Sequence, residues 1–399
     1  MVKFHFYICS ISPCLRPTLE KCLKEVEFPF ETEIVYHHRL QTPEDQIREE
    51  LKKADVVIAE PHIAHLLSNP QESCPKLRWF QSTFAGVDHF MNMKPCPYAP
   101  DLVPLPFALT RGAALFGPGM AEYAISMMIA VQRNFFTLKE AQMKKESPYS
   151  IRECATTFPL LSQLTVGILG ASGSIGQDTA RRLYVLGCNV WGLCRRHRKE
   201  GEPLVTPQVE SPLNARLPPA DQCFQKLVAL EDDDEKQSLL RSFLSGVDVV
   251  INILPSTPDT NYLLGGRIDK DGKPIPSPLE ACKPHCVFIN IGRGSIISEA
   301  AMVDVLKRKC IRHAVLDVFE KEPLPATSPL ITELSTDMIT FTPHTSGLPQ
   351  HDNYMEHLLS KNLQLFKEGM IFEQSEEAKA KGEKWAPKMI YQMDFKEGY

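Results

Sequence analysis

Short apolar runs alternate with helical patterns from the N-terminus onward. Residues 3–10, 32–38, 54–60 and 77–83 are apolar runs of strand length. Between them, 17–25 and 42–54 read as helices, the second with Thr42 as N-cap and Glu44 and Asp45 in its first turn. Strand, helix and strand in this rhythm predict a parallel sheet covered on both faces. Strand-length runs return at 166–170 and 189–193, then at 247–255, 286–291, 311–319 and 338–342.

Between the two halves, residues 112–119 are rich in types that stop regular structure and read as a hinge. A long helix is expected over 120–145, apolar in its first half and charged in its second (KEAQMKKE). Such a helix is buried at one end and emerges at the other, as a bridge between domains or half of a dimer interface would. The connection 198–245 carries prolines (VESPLNARLPP) and an acidic run (EDDDEK), and is expected to be a surface excursion with a helix near 235–244. An insert at 268–278, with Asp-Gly and three prolines, reads as an exposed loop. A helical stretch near 354–367 and a charged tail, EQSEEAKAKGEK, close the chain, the tail reading as solvated.

At 399 residues the chain is long for one core, so two domains are expected. They are placed at 1–115 with 347–399, and at 116–346. A net charge of −5 leaves no basic excess to displace counterions, which argues against a nucleic-acid partner. The longest apolar run, 123–131, is far short of a membrane span, so no membrane partner is expected. Twelve cysteines show no C-x-x-C pair, the closest spacing being Cys282 and Cys286. The N-terminus, MVKFHFYICSISP, reads as a first strand and not as an export leader. Unpaired thiols without such a leader point to the reducing cytoplasm. His37, His38, His62 and His65 lack a carboxylate partner at metal spacing and read as surface or loop histidines, so no metal is expected.

Candidate chemistry begins at LTVGILGASGSIGQ, residues 164–177. A buried strand, a Gly/Ser turn and a helix with Ile175, Thr179 and Leu183 on one face form the phosphate-cradling start of a dinucleotide-binding, Rossmann-type unit. Gly170 permits the turn, Gly173 lets backbone approach the pyrophosphate, and Gly176 lets helix pack close to strand. The anion would sit on free N–H groups of Ser172, Ser174 and Ile175 at the positive end of the helix. The spacing G-x-x-G-x-x-G is one residue longer than usual.

Three residues follow strands of one sheet and would reach the edge where open parallel sheets bind ligands. Arg293 lies between two glycines, Glu322 stands 29 residues on, and His344 a further 22. A guanidinium suits a planar carboxylate, gripping it with two parallel hydrogen bonds. An acid beside an imidazole raises its basicity and fixes its orientation.

These stretches, INIGRG, LDVFEKEPLP with SPL after it, and TPH, resemble the D-2-hydroxyacid dehydrogenases. ILPSTPDTNYLL, FAGVDHF and the closing MDFKEGY are similar to the same family. The resemblance covers nearly the whole chain beyond about residue 50; the longer glycine turn and the two inserts depart from it. It implies an α/β fold of two doubly wound parallel-sheet domains, one Rossmann and one flavodoxin-like, with the active site in the cleft between them. It implies that Arg293 holds the carboxylate of a small 2-oxo acid, that His344 is acid and base, and that Glu322 orients it. Backbone N–H groups of Ala85, Gly86 and Val87 would complete the carboxylate site. Leu254, Pro255, Thr260, Ile291, Gly292, Asp317 and His344 would border the cofactor, Asp317 touching the nicotinamide carboxamide. Phe84, Phe107, Arg111 and Leu348 are candidates to line the pocket. A formate-oxidising branch is set aside, because it has glutamine where this chain has Glu322.

The second strand of the cofactor unit ends in Cys-Arg-Arg-His-Arg-Lys, with no acid to accept from ribose hydroxyls. Arg195 and Arg196 stand where a 2′-phosphate would lie, so NADP(H) is expected ahead of NAD(H). The leading reading is an NADPH-preferring reductase of glyoxylate, hydroxypyruvate or a similar acid, as a homodimer. A dinucleotide-binding corepressor and a phosphoglycerate dehydrogenase are the alternatives. The first is disfavoured by the absence of a long low-complexity tail, and the second by the absence of a regulatory domain after the cofactor unit.

Overall fold

The computed structural model describes residues 2–86, 88–91, 107–113, 116–195, 214–230, 236–269, 271–347, 351–376, 378 and 389–393. The chain divides into two compact units, one of residues 1–115, 208–211 and 349–399, the other of residues 116–207 and 212–348.

The first unit carries five parallel strands: β1 (Lys3–Ser10), β2 (Glu31–His38), β3 (Val56–Ala59), β4 (Trp79–Ser82) and β5 (Ala108–Thr110). Their order is β2-β1-β3-β4-β5. β3 and β4 are buried along their whole length, as strands covered on both faces must be. Helix α1 (Leu15–Glu25) turns Leu15, Leu19, Cys22 and Leu23 inward, one stripe at helical spacing. Helix α2 (Glu44–Leu51) begins later than expected, because Pro43 takes the N-cap position. The Thr42 hydroxyl, expected to cap, instead donates to the His38 carbonyl at 3.0 Å. The C-terminal helix His351–Gln374 returns to this sheet, its Phe366 packing on Phe4 and Trp79 with ring centres 5.8 Å away in each case. It runs longer than the expected 354–367; of the charged tail after it, most residues lie outside the described ones.

The second unit carries seven parallel strands: β6 (Thr165–Leu169), β7 (Asn189–Cys194), β8 (Lys226–Ala229), β9 (Val249–Asn252), β10 (Val287–Asn290), β11 (His313–Leu316) and β12 (Ile339–Phe341). The order β12-β11-β10-β9-β6-β7-β8 places the reversal of winding between β6 and β9. Ligands of doubly wound sheets bind beyond the carboxyl ends of the strands at that point.

Four expectations need correction. The connection 198–245 is not only a surface excursion: β8 lies in it and forms the sheet edge, four residues whose first two are exposed and carry little apolar signal. The helix expected over 120–145 is two, α3 (Gly117–Gln132) and α4 (Phe135–Met143). Asn134 breaks them apart at φ 54°, with Arg312 donating to its side chain at 2.5 Å and to the Val131 carbonyl at 3.3 Å. Gly117, Pro118 and Gly119, expected in the hinge, form the first turn of α3, where a proline forfeits no helical hydrogen bond. His62, read as a surface histidine, is half-buried. Helix α5 (Ser174–Val185) and helix α6 (Lys236–Ser245) stand where the pattern put them. Of the insert expected at 268–278, the described residues up to Pro276 form an exposed turn closed by an Ile268–Pro274 bridge, while Ser277 and Pro278 are buried. Among the described residues no helix is long and apolar enough to cross a membrane.

In the first unit, fully buried Asn362 donates to Gln81 Oε1 at 3.1 Å and to the Ile390 carbonyl at 3.2 Å, and accepts from Ile390 N–H at 2.9 Å. Asn362→Ala takes this partner from the Ile390 N–H and carbonyl, while Gln81 Oε1 keeps its bond from the Thr110 hydroxyl. Urea unfolding should show a loss of about 1–3 kcal/mol, seen as a lower midpoint at unchanged slope.

Candidate active site

The glycine turn joins β6 to α5. Gly170 adopts φ 94°, and a Cβ on Gly176 would stand 2.4 Å from the Gly170 carbonyl oxygen, so the helix can approach the strand only without a side chain there. Gln177 donates to the Ser172 carbonyl at 2.7 Å and pins the turn. The first backbone bond of α5 runs from Gln177 N–H to Gly173. That leaves the N–H groups of Ser174, Ile175 and Gly176 for an anion at the helix's positive end. Thr179 and Leu183 are fully buried against the sheet and Ile175 is half-buried. These features fit a dinucleotide pyrophosphate.

Two neighbouring turns close on this one. A Cβ on Gly170 would lie 3.4 Å from Leu254 N, and one on Gly292 would lie 2.7 Å from the Leu254 oxygen. Leu254, Ile291 and Gly292 therefore stand beside the glycine turn. Thr260 donates to the Pro255 carbonyl at 2.6 Å and folds the 255–260 loop onto itself. A buried pair organises both turns. Asn252 donates to Asn290 Oδ1 at 2.9 Å, and these side chains then receive Leu254 N–H and Gly292 N–H. Asn290 also donates to the Arg293 carbonyl at 3.1 Å. Sequence reasoning missed both asparagines; a polar residue closing each of two apolar runs was the available signal.

The imidazole and the acid meet. His344 Nδ1 lies 2.8 Å from Glu322 Oε2, while Glu322 Oε1 accepts from Phe319 N–H at 3.0 Å. The bond to Glu322 raises the His344 pKa above its ordinary value, against the opposing effects of burial and of Arg293. Burial works to raise the Glu322 pKa, yet the His344 bond, the Phe319 N–H and the Arg293 charge bring it below the usual carboxylate range. Arg293 is thus close enough to act on both. With Nδ1 committed to Glu322, Nε2 is the nitrogen from which a protonated His344 can give a proton.

Asp317 is fully buried. Its carboxylate accepts from the Thr342 hydroxyl at 2.5 Å and from the N–H groups of Thr345 and Ser346 at 2.8 Å each. Its carbonyl accepts from His344 N–H at 2.9 Å. Tyr123 on α3 holds Thr342 in turn. His344 itself sits at φ 53°, a left-handed conformation that this surrounding network maintains.

In the first unit, Ala85 and Gly86 follow β4, and among the described residues their N–H groups meet no acceptor. Phe84 is half-buried beside them, Phe107 is buried, and Arg111 is tied by its N–H to the Tyr391 carbonyl. Arg195 is exposed at the end of β7. Val87, Arg196 and Leu348 lie outside the described residues. Among the described residues no three His, Cys, Asp or Glu side chains converge as a metal site.

Residues 125–233 and 220–346 match the family model described as D-isomer specific 2-hydroxyacid dehydrogenase, NAD binding domain. Glyoxylate/hydroxypyruvate reductase B of Enterobacter sp. (strain 638) is 27% identical over 289 residues, 71% of this chain and 72% of the relative. A crystal structure of a D-isomer specific 2-hydroxyacid dehydrogenase family protein from Aeromonas salmonicida subsp. salmonicida A449 is similar at TM-score 0.67 and 25% identity, over 99% of this chain and 100% of that one. An NADPH-dependent glyoxylate/hydroxypyruvate reductase from Sinorhizobium meliloti, solved with NADP and sulfate, shares the fold at TM-score 0.64 and 22% identity, over 99% of this chain and 100% of that one.

The packing at Gly176 gives a direct test. Gly176→Ala forces α5 away from the turn, and titration by protein fluorescence should show dinucleotide affinity falling by about tenfold or more, roughly 1.4 kcal/mol.

Proposed function

The chain belongs to the D-isomer specific 2-hydroxyacid dehydrogenases, and we propose from that premise that it reduces glyoxylate, hydroxypyruvate or a similar small 2-oxo acid to the D-2-hydroxy acid. The observation that carries the reading is the 2.8 Å bond between His344 and Glu322, with Arg293 acting on both charges. A nicotinamide dinucleotide, when bound, supplies the hydride. Gly170, Ser172, Gly173, Ser174, Ile175 and Gly176 would hold its pyrophosphate, and Leu254, Pro255, Thr260, Ile291 and Gly292 would border it. We propose residues 116–346 as the cofactor domain and 1–115 with 347–399 as the substrate domain.

Arg293 binds the substrate carboxylate with its planar fork and draws electron density from the adjacent carbonyl. The N–H groups of Ala85 and Gly86, which meet no acceptor among the described residues, would be available to a substrate carboxylate. His344, protonated and held in orientation by Glu322, gives its Nε2 proton to the carbonyl oxygen as the carbon accepts hydride, so a C–H and an O–H bond form as the carbonyl π bond breaks. Asp317 is committed to the loop of His344, and a carboxamide contact would use the capacity its carboxylate has left. Arg195 and Arg196 would favour NADP(H) over NAD(H) by pairing with a 2′-phosphate.

Two measurements test this reading. His344 is protonated below its raised pKa, so reduction should fall as pH rises through that value. Glu322→Gln removes the anion that raises it. The alkaline limb of kcat/KM for reduction should move to lower pH, with kcat reduced about 10²-fold; an unmoved limb would exclude His344 as the acid. Arg195→Asp should raise the KM for NADPH by about tenfold and that for NADH by less, since one charge-assisted contact contributes about 1.5–3 kcal/mol. An unchanged NADPH constant would remove Arg195 from cofactor selection.

A further inference from the structure

The five-stranded sheet closes one of its edges and leaves the other open. At β5, Arg111 N–H donates to the Tyr391 carbonyl at 3.1 Å and Met393 N–H to the Leu109 carbonyl at 2.8 Å, so the chain's own C-terminal segment covers that edge. β2 ends the order on the other side, and among the described residues no strand pairs with its outer edge. It is eight residues long, holds no proline, and none of its residues is fully buried. A bare edge of that length is a template for another strand, and folds that have no use for one shorten, kink or cover it.

Alternate residues of a strand turn their peptide groups to the same neighbour. Arg39 N–H donates to the Ser10 carbonyl at 3.3 Å, one step beyond the Ser10–His38 pair. By that alternation Glu31, Glu33, Val35 and His37 face β1 with their peptide groups, and Thr32, Ile34 and Tyr36 turn theirs outward. An antiparallel partner has to set outward residues against outward residues. Of the two-fold pairings of β2 with a second copy that meet this condition, only the one centred on Val35 sets both acids of the strand against basic side chains. Glu33 then faces His37, Glu31 faces Arg39, and Ile34 faces Tyr36.

The side chains suit that register. Glu33 is half exposed, and Lys3, 3.1 Å away, holds its pKa below the usual carboxylate range. The Tyr7 hydroxyl lies 3.2 Å from His37 Nδ1; with that hydroxyl donating, the ring proton sits on Nε2 and can be given to a facing carboxylate. Arg39 stands 3.3 Å from Glu60 of its own chain, so Glu33 and His37 make the principal contact. On the other face a groove of about 320 Å³, lined by Leu23, Phe28, Phe30, Thr32 and Ile34 among others, runs beside the edge, where an added strand would cover it.

We propose that β2 is a self-pairing edge, joining two copies of this chain antiparallel about a two-fold axis at Val35 into one continuous sheet. The partner is a second copy because the charge order of the strand, acids first and bases last, complements its own reverse.

The test is disulfide trapping of the full-length protein carrying Val35→Cys, oxidised with copper phenanthroline and read on a non-reducing gel with mass spectrometry of the linked peptides. Val35 falls in a pair without hydrogen bonds, where facing side chains lie closest, so the variant should link about tenfold or more faster than the wild type, whose Cys14 is exposed. Thr32→Cys should stay at the wild-type rate, because its two thiols would stand about 20 Å out of step along the strands. Ile34→Pro removes only an outward N–H and should return Val35→Cys to that rate. Val35 packs in part on the core of its unit, and should its variant not fold, a mixture of Glu33→Cys and His37→Cys decides. Each of these alone leaves its thiols out of register, whereas the mixture sets them face to face. Val35→Cys linking within about twofold of Thr32→Cys, or, where it does not fold, the mixture linking no faster than its components, overturns the pairing, whatever other partner or surface the chain uses. Turnover plays no part in the readout, so the reductase reading stands either way.

Discussion

The buried carboxylate of Asp317 fixes the loop that carries His344. It gathers one hydroxyl and two N–H groups from residues 342–346, while the carbonyl of the same residue takes His344 N–H. A charge so placed is tolerable only because every donor is supplied at short range. In return the loop cannot relax, and His344 stays in a left-handed backbone conformation that costs of the order of 1–3 kcal/mol. The imidazole is thereby presented to Glu322.

Glu322 and His344 then set each other's charge. Burial alone would favour a neutral acid and a neutral ring, but the bond between them outweighs it and shifts each group toward its charged form. The linkage has two limits. His344, with a raised folded pKa, contributes stability that is present at low pH and lost as pH rises through that pKa. Glu322, with a lowered one, contributes stability that is present above its unfolded value and lost as pH falls through the folded value. The pair is therefore at full strength in the mildly acidic range, above the ordinary carboxylate value of 4.5 and below the ordinary imidazole value of 6.5. Both side chains are substantially solvent-accessible, so the value of the pair lies in orientation and protonation more than in stability.

The two units treat the polar groups at the carboxyl edges of their sheets differently. In the second unit, Asn252, Asn290 and Asp317 are bonded to the turns they carry. In the first, Glu60, Arg39, His62 and Thr83 retain unpartnered atoms. A fully satisfied network fixes the geometry of the turns it carries.

The local pattern determined what depends only on neighbours in the chain. The strands other than β5 and β8, most helices, the glycine turn and the positions of Arg293, Glu322 and His344 after their strands were legible, because the periods of 2 and 3.6 and the need for glycine at a tight turn act over a few residues. Other features needed distant partners. The Asn252–Asn290 pair exists because β9 and β10 align those two positions in register. The break between α3 and α4 is held by Arg312, far along the chain. β8 is a strand because β7 offers it an edge, and its own four residues carry too weak a signal. Tertiary structure also decided that Asp317 would hold a loop and that His62 would be half-buried, with its pKa pushed down to about 4. Burial and long-range hydrogen bonding are properties of the packed chain, and no short window of sequence contains them.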